Sequence, residues 1–300
     1  MCDTLVALPS ATAGGATLFA KNSDRPPDET QVVLWSPPRR DQGVLRVTHI
    51  DIEPAPGDTF GALLSRPTWC WGAEHGVNEA GVAIGNEAIY TTLDPRSAPA
   101  ALTGLDLVRL GLERAADAAA AVAVITGLLE RYGQGGTGHD PAGRAGPKAY
   151  WNSFLVADPW SAYVIETSGR EYAVEQVESG GVRAISNRTT IAAFDSQHRH
   201  PRQPVERLVD PRWRASQQVL ACRPVTVEAL MAHLRSHDSC AEPGWSVCMH
   251  GCDPDGVLVE LTTASMVAEL PTGGAPRVWW LVGAPCELDY VEQVVSATGR

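Results

Sequence analysis

The N-terminal half of the chain alternates short apolar runs with turn-forming residues. Residues 2–8 and 16–20 are two such runs, and the segment between them, 10–15, is rich in small and turn-forming residues. This pattern predicts a β-hairpin at the N-terminus whose first strand starts at Cys2. Further strands are predicted over residues 31–35, 44–50 and 81–88.

Helical spacing begins only in the middle of the chain. Apolar residues recur every three or four positions over residues 105–115 and again over 121–132, which predicts two adjacent amphipathic helices. Thr103 precedes the first helix as a candidate N-cap, and Gly133 follows the second as a candidate C-cap. We expect both apolar stripes to pack on one face of a sheet.

The second half returns to strands separated by turns, with a spacing typical of an antiparallel meander. A polar, proline-containing connection is predicted over residues 191–214 and a helix over 225–234. Mixed blocks of strands and helices of this kind predict an α+β fold. Because neither a repeat nor a linker is evident, we predict one domain spanning residues 1–300. The predicted strands of this half are 153–156, 162–166, 172–174, 182–186, 257–270 and 278–282.

Charge and composition narrow the class of partner. The formal net charge is −11 with a pI near 5.2, so nucleic acid and anionic membrane surfaces are not expected partners. The sequence contains no apolar stretch long enough for a membrane span and no basic-then-apolar N-terminal segment. Seven scattered cysteines suit reduced thiols better than a disulfide framework. We therefore expect a cytoplasmic protein.

The segment 133–147 is rich in glycine and proline. It lacks the Gly-Lys-Ser/Thr ending of a phosphate-binding loop, so nucleotide binding is not predicted. We interpret it as a mobile surface loop, with a lid as the alternative.

Cys2 is the first candidate for chemistry. A small second residue normally permits removal of the initiator Met, which would leave Cys2 with both a thiol and a free α-amine. The α-amine titrates near 7.7–8.0 and the thiol near 8.5, so the amine can accept the thiol proton during attack. One residue would then supply nucleophile and base.

Lys21 and Asp24 follow directly after the second predicted strand. If the N-terminal hairpin pairs as predicted, this charged segment lies beside Cys2. A cation there would favour the thiolate, and a carboxylate could hold the α-amine. The alternative is a solvated charged turn.

Several short motifs occur in a fixed order along the chain, namely Cys2-Asp3-Thr4, Lys21-Asn22-Ser23-Asp24-Arg25, Trp69-Cys70-Trp71-Gly72, Asn78-Glu79-Ala80-Gly81, Ile84-Gly85-Asn86-Glu87, Ile185-Ser186-Asn187 and Cys248-Met249-His250. Together they resemble the secernins and the related cysteine dipeptidases. The resemblance covers most of the chain and thins between residues 191 and 236.

This resemblance implies an N-terminal nucleophile hydrolase, an αββα sandwich of two antiparallel sheets between helices. The same superfamily includes bile-salt hydrolases and penicillin V acylases, whose site pattern implies roles for five residues here. Cys2 matches the nucleophile, and Lys21 stands where the acylases keep an arginine near the sulfur. Asp24 matches a carboxylate near the amine, Asn86 an oxyanion-hole amide and Asn187 a second asparagine of the site. A further acylase arginine would be sought near residues 264–266, where the chain has none.

The implied function is hydrolysis of a dipeptide or similar small amide through a thioester, without a cofactor or metal. Two alternatives stay open: a binding protein on an inherited hydrolase scaffold, and a protein whose Cys2 is converted to an N-terminal carbonyl electrophile. Acyl transfer to an amine instead of water also stays open. A small peptide or amide is the expected partner, and the sequence leaves a homo-oligomer open.

Two further groups are ambiguous. Glu74 and Glu87 flank the predicted site and could bind a substrate amine or serve as structural ion partners. Four residues form a loose group of metal-ligand types, but their spacing fits no CxxC pair, so a zinc site is not predicted. They are Cys240, Cys248, His250 and Cys252.

Overall fold

The computed structural model describes residues 1–40, 43–203, 205–238 and 242–296. Its strands, in chain order, are β1 (Cys2–Ala7), β2 (Thr17–Arg25), β3 (Gln31–Ser36), β4 (Leu45–Arg46), β5 (Asp51–Ile52), β6 (Ala62–Pro67), β7 (His75–Asn78), β8 (Ala83–Ile89), β9 (Trp151–Ala157), β10 (Ala162–Ser168), β11 (Glu171–Gln176), β12 (Val182–Ser186), β13 (His250–Cys252), β14 (Leu258–Leu270), β15 (Arg277–Val282) and β16 (Val291–Val294).

The helices are α1 (Gly104–Arg114), α2 (Ala118–Tyr132), α3 (Ala192–His198), α4 (Val205–Leu208), α5 (Asp210–Ala221) and α6 (Val227–Leu234). Two short 3-10 turns lie at Pro9–Ala11 and Pro95–Ser97. The predicted N-cap Thr103 forms a capping box of α1 with Asp106. Gly133 caps the end of α2 with a positive φ of 73°.

Two seven-stranded antiparallel sheets organise the described part of the chain. The first has the order β12-β1-β2-β14-β15-β16, with β13 paired to β14. The second has the order β11-β10-β9-β8-β7-β6-β3. The predicted N-terminal hairpin is present, and β1 lies between β2 and β12 in the interior of the first sheet.

Three apolar layers hold the sheets and helices together. The first lies between the second sheet and helices α1 and α2, the next between the two sheets, and the third between the first sheet and helices α5 and α6. Each sheet therefore has one face against helices and one face against the other sheet, as in sandwiches generally. The α+β sandwich expected from the sequence is confirmed.

Two predictions of local structure are wrong. The run 44–50 forms only the two-residue strand β4, because the chain turns back after Val47, whose N–H donates to Ile50 O, to pair with β5. The predicted polar connection 191–214 contains α3, α4 and the first five residues of α5. Pro211 stands in the first turn of α5, where its missing N–H removes no helical hydrogen bond.

Within the described ranges, every helix is too short or too polar to cross a bilayer. The described cysteines are free thiols, and Cys240 lies outside the described residues.

Candidate active site

Cys2 opens β1 and lies at the floor of a cavity. Cys2 pairs with Ser23 across the hairpin and is only 6% exposed. The backbone N–H of Cys2 donates to Asn187 Oδ1 at 2.7 Å, and the N–H of Asp24 points to Sγ at 3.4 Å. The register of the first sheet thus brings three of the predicted residues together.

The cavity has a volume of about 690 Å³. Met1, Cys2, Asp24, Asn86 and Asn187 all line it. Asn86 comes from β8 in the second sheet, so the site is built where the two sheets meet. Four of the five predicted residues share this cavity.

Lys21 lies beneath the cavity, fully buried between the sheets. Its Nζ donates to the backbone oxygen of Asn86 at 2.7 Å and lies 3.3 Å from Glu87 Oε1. Gly85 leaves room for the lysine stem, since a Cβ there would lie within 3.3 Å of Lys21 Cε and overlap Cδ. Burial alone would lower the pKa of Lys21, but the anionic forms of its neighbours, first the Cys2 thiolate whenever it forms and then the Glu87 carboxylate, raise this pKa.

Glu74 and Glu87 are both engaged as ion partners. Glu87 pairs with Lys21 and accepts a short hydrogen bond from Thr4. Glu74 pairs with Arg25 at 2.9 Å. The contacts of these two carboxylates are therefore those of structural ion partners.

Asp24 is a buried carboxyl with one free oxygen. Its Oδ1 accepts from the Thr262 hydroxyl at 2.7 Å, whereas Oδ2 has no hydrogen-bond partner among the described residues. The Met1 ammonium lies 4.0 Å from Oδ2. Burial raises the pKa of Asp24 to about 7, although the ammonium, Arg212 and Thr262 oppose that rise.

Asn86 is oriented by a relay of side-chain amides. Gln134 donates from Nε2 to Gly169 O, and its Oε1 accepts from Asn152 Nδ2 at 3.0 Å. Asn152 Oδ1 then accepts from Asn86 Nδ2 at 2.9 Å. Because each amide has one donor end and one acceptor end, this relay fixes Nδ2 of Asn86 as the donor. That group carries a second N–H, and Asn86 lines the cavity.

Arg212 is a site residue that the sequence reasoning missed. It lies on α5, fully buried, and donates to Asp3, to the backbone oxygen of Cys2 at 3.3 Å and to Asn187 Oδ1 at 3.1 Å. The chain has no arginine at residues 264–266, where the resemblance would place one. Those residues lie on β14 opposite Asn22 and its neighbours, and a buried arginine reaches the site from a helix instead.

The thiol of Cys2 is held protonated in this chain. Burial raises its pKa well above the ordinary range, and the opposing charges of Lys21 and the Met1 ammonium do not compensate. The Met1 ammonium itself lies 2.9 Å from Glu260 Oε2. Met1 therefore lines the same cavity as Cys2.

The loop 133–147 forms part of the cavity wall through His139 and Pro147. Arg25 donates to Gly138 O at 2.7 Å, and His139 Nδ1 lies 3.0 Å from Glu29 Oε1. These contacts anchor the loop to the last residue of β2 and to the segment that follows it.

Solved structures of a bile acid hydrolase share this architecture. A cysteine-to-alanine variant of conjugated bile acid hydrolase from Clostridium perfringens matches with a TM-score of 0.58 at 12% identity, over 100% of this chain and 93% of that chain. An arginine-to-leucine variant of the same enzyme matches with a TM-score of 0.56 at 12% identity, over 99% and 93%. An orthologue of N-acylethanolamine-hydrolyzing acid amidase from Caenorhabditis elegans has a TM-score of 0.47 at 11% identity, over 89% and 92%.

This chain has the N-terminal nucleophile hydrolase fold. No family model matches the sequence. The αββα expectation is thereby confirmed, and the narrower resemblance to secernins and cysteine dipeptidases stays a prediction.

Proposed function

We propose that this protein is a cysteine-dependent amide hydrolase in which Cys2 becomes the N-terminal residue after Met1 is removed. The observation that carries the proposal is the position of Cys2 itself. Its nitrogen lies 2.7 Å from Asn187 Oδ1, and its sulfur lies in a 690 Å³ cavity beside Asp24 and Asn86. An N-terminal residue there would place amine, thiol and carboxylate within one site.

Loss of Met1 would convert the backbone nitrogen of Cys2 into an α-amine, which has more than one N–H to donate. Asn187 Oδ1 already accepts from this nitrogen. Removal of Met1 would also open the space above the thiol and lessen its burial. At neutral pH part of such an amine is unprotonated, so it can act as a base.

The reaction then proceeds as an acyl transfer. The α-amine takes the thiol proton as sulfur attacks the amide carbonyl, and the developing oxyanion accepts from Asn86 Nδ2. The C–N bond breaks as the ammonium returns its proton to the leaving amine. Water, deprotonated by the same amine, attacks the thioester, and the C–S bond breaks to release the acid and restore the thiol.

The contacts of Met1 indicate the substrate class. Glu260 holds the α-ammonium of Met1 at 2.9 Å inside the cavity. Once Met1 is gone, this carboxylate is available for another ammonium of the same kind. A substrate with a free α-amine, such as a dipeptide, fits this position better than an uncharged acyl group does.

Basic residues of the cavity suit the other end of such a substrate. Lys148, Arg202 and His200 all line the cavity, and Lys148 is close enough to Glu260 to help lower the pKa of that carboxyl. A dipeptide carries a carboxylate on the leaving residue, which these groups would attract. We therefore propose a dipeptidase specificity.

The test starts with the intact mass and N-terminal sequence of the purified protein. We expect Met1 to be absent and Cys2 to carry a free amine. A panel of dipeptides is then assayed with wild type, with Cys2→Ala and with Cys222→Ser, which changes an exposed cysteine. Hydrolysis should vanish in Cys2→Ala and persist in Cys222→Ser.

Other outcomes separate the alternatives. Full retention of Met1 together with no turnover would favour a binding protein on the same scaffold. Labelling of residue 2 by a hydrazine probe, without reaction with thiol reagents, would indicate the N-terminal carbonyl. Product analysis with an added amine distinguishes acyl transfer from hydrolysis.

A further inference from the structure

Four side chains of metal-ligand type converge outside the active-site cavity. His237 follows α6, Cys248 lies just before β13, His250 opens β13, and Cys286 follows β15. Their ligand atoms all lie within 4.8 Å of one another. We propose that these four residues bind one zinc ion in a Cys2His2 site.

The distances between these ligand atoms are close to those of a tetrahedral zinc site. Zn–S bonds of about 2.3 Å and Zn–N bonds of about 2.0–2.1 Å place sulfur and nitrogen about 3.6 Å apart at a tetrahedral angle. Cys248 Sγ lies 3.6 Å from His250 Nε2, and that nitrogen lies 3.3 Å from Cys286 Sγ. Two edges of the ligand tetrahedron therefore have about the length expected around zinc.

The remaining ligand reaches the same point from a different segment. The rings of His237 and His250 meet edge to face with centroids 5.2 Å apart. Thiolate and imidazole are the donors that zinc prefers. An ion here would join the segment after α6, the start of β13 and the turn after β15, three segments distant in sequence.

The ligand set differs from the loose group noted in the sequence. Cys248 and His250 belong to both sets, but His237 and Cys286 replace the other two. Cys252 points elsewhere, with its Sγ 3.8 Å from His250 O. Cys240 lies outside the described residues. Cys286 is 36 positions from His250 and 49 positions from His237 along the chain, a separation that no local motif would show.

The proposed zinc site would also support the active site. Met249 lies between two ligands, and its N–H donates to the Thr262 hydroxyl at 2.8 Å. That hydroxyl donates to Asp24 at 2.7 Å. Zinc would therefore hold the segment that positions the partner of Asp24, as a structural ion and not a catalytic one.

The test measures metal content directly. Untagged protein is loaded with zinc, kept with a non-thiol reductant and dialysed against metal-free buffer before its zinc content is determined by mass spectrometry. We expect one zinc per chain in wild type and in Cys252→Ser, the neighbouring control. Cys286→Ser, His250→Ala and His237→Ala should each lose most of the metal.

Cobalt and folding measurements complete the test. Cobalt-loaded wild type should show the visible absorption of a tetrahedral site with thiolate ligands, and Cys286→Ser should lose it. Circular dichroism checks that the variants fold, which is expected because Cys286 and His237 are exposed. Wild type without zinc, equal retention in all variants, or a disulfide mapped between Cys248 and Cys286 would each overturn the proposal.

Discussion

Lys21 Nζ donates to the backbone oxygen of Asn86 at 2.7 Å, so a lysine of the first sheet holds the strand of the second sheet that carries the candidate oxyanion donor. The same ammonium is the main charge that lowers the pKa of Cys2 against burial. Lys21 thus acts on two predicted groups of the site at once.

The first prediction separates these two effects. Lys21→Met leaves Glu87 without its cation, and loss of one partner of a buried ion pair typically lowers the free energy of unfolding by about 3–5 kcal/mol. The double variant Lys21→Met with Glu87→Gln should recover much of that stability in urea unfolding. It should not recover activity, because the thiol still lacks its cation. Recovery of kcat/KM in the double variant would show that Lys21 is only structural.

The second prediction concerns the amide relay behind Asn86. A Cβ at Gly104 would overlap the side-chain amide of Asn152. Gly104→Ala should therefore displace Asn152, misdirect Asn86 and lower kcat more than it changes KM. The loss of one oxyanion donor typically costs about 2.7–4 kcal/mol, which corresponds to two to three orders of magnitude in rate.

Gly127→Ala is the matched control for this change. It lies in α2 with nothing within 4 Å of the new methyl group. Alanine is the better helix former, so this variant should be as stable as wild type or more so, with normal kcat. Equal kcat values in the two glycine variants would remove the relay from catalysis.

Much of this arrangement could be read from the sequence because it depends on local pairing. The hairpin places Lys21 and Asp24 beside Cys2 through the alternation of β1 and β2, and the capped helices α1 and α2 follow from their spacing. These features need only neighbours along the chain.

The missed features all depend on contacts between distant segments. Arg212 reaches Cys2 and Asn187 from α5, in a stretch whose prolines and charges resemble an irregular connection. Strands β6 and β7 are also absent from the prediction because Pro67 and Gly76 interrupt their apolar pattern. Gly76 is required there by its close approach to Leu63 O, which only the folded sheet shows.

The third prediction uses the buried carboxyl of Asp24. Its pKa in the folded chain, about 7, lies above the unfolded value of 3.8, so the folded state binds the proton more tightly between these pH values. The stability contributed by this group is therefore present below about pH 4 and is lost as the pH rises through 7. The total effect is on the order of a few kcal/mol.

Asp24→Asn tests this directly. The melting temperature of the variant should equal that of wild type near pH 4 and exceed it progressively up to pH 8, while its activity is lost throughout. Such a gain in stability at the expense of function is common at active sites. A difference in melting temperature that does not change with pH would contradict the buried, titrating carboxyl.

The fourth prediction tests the proposed amine pocket and rests on the proposed function. Glu260 now binds the Met1 ammonium, so in the processed enzyme it should bind the α-ammonium of the substrate. Glu260→Gln should raise KM for a dipeptide at least tenfold, which corresponds to about 1.4 kcal/mol, and should leave kcat less affected. The same dipeptide with an acetylated amine should be a poor substrate of wild type, and its KM should be the same for wild type and for Glu260→Gln.

Glu269→Gln is the control, because Glu269 lies on the same strand but pairs with exposed Arg277, and it should behave as wild type. If Glu260→Gln lowers kcat/KM equally for the free and the acetylated substrate, Glu260 supports the fold and does not recognise the amine.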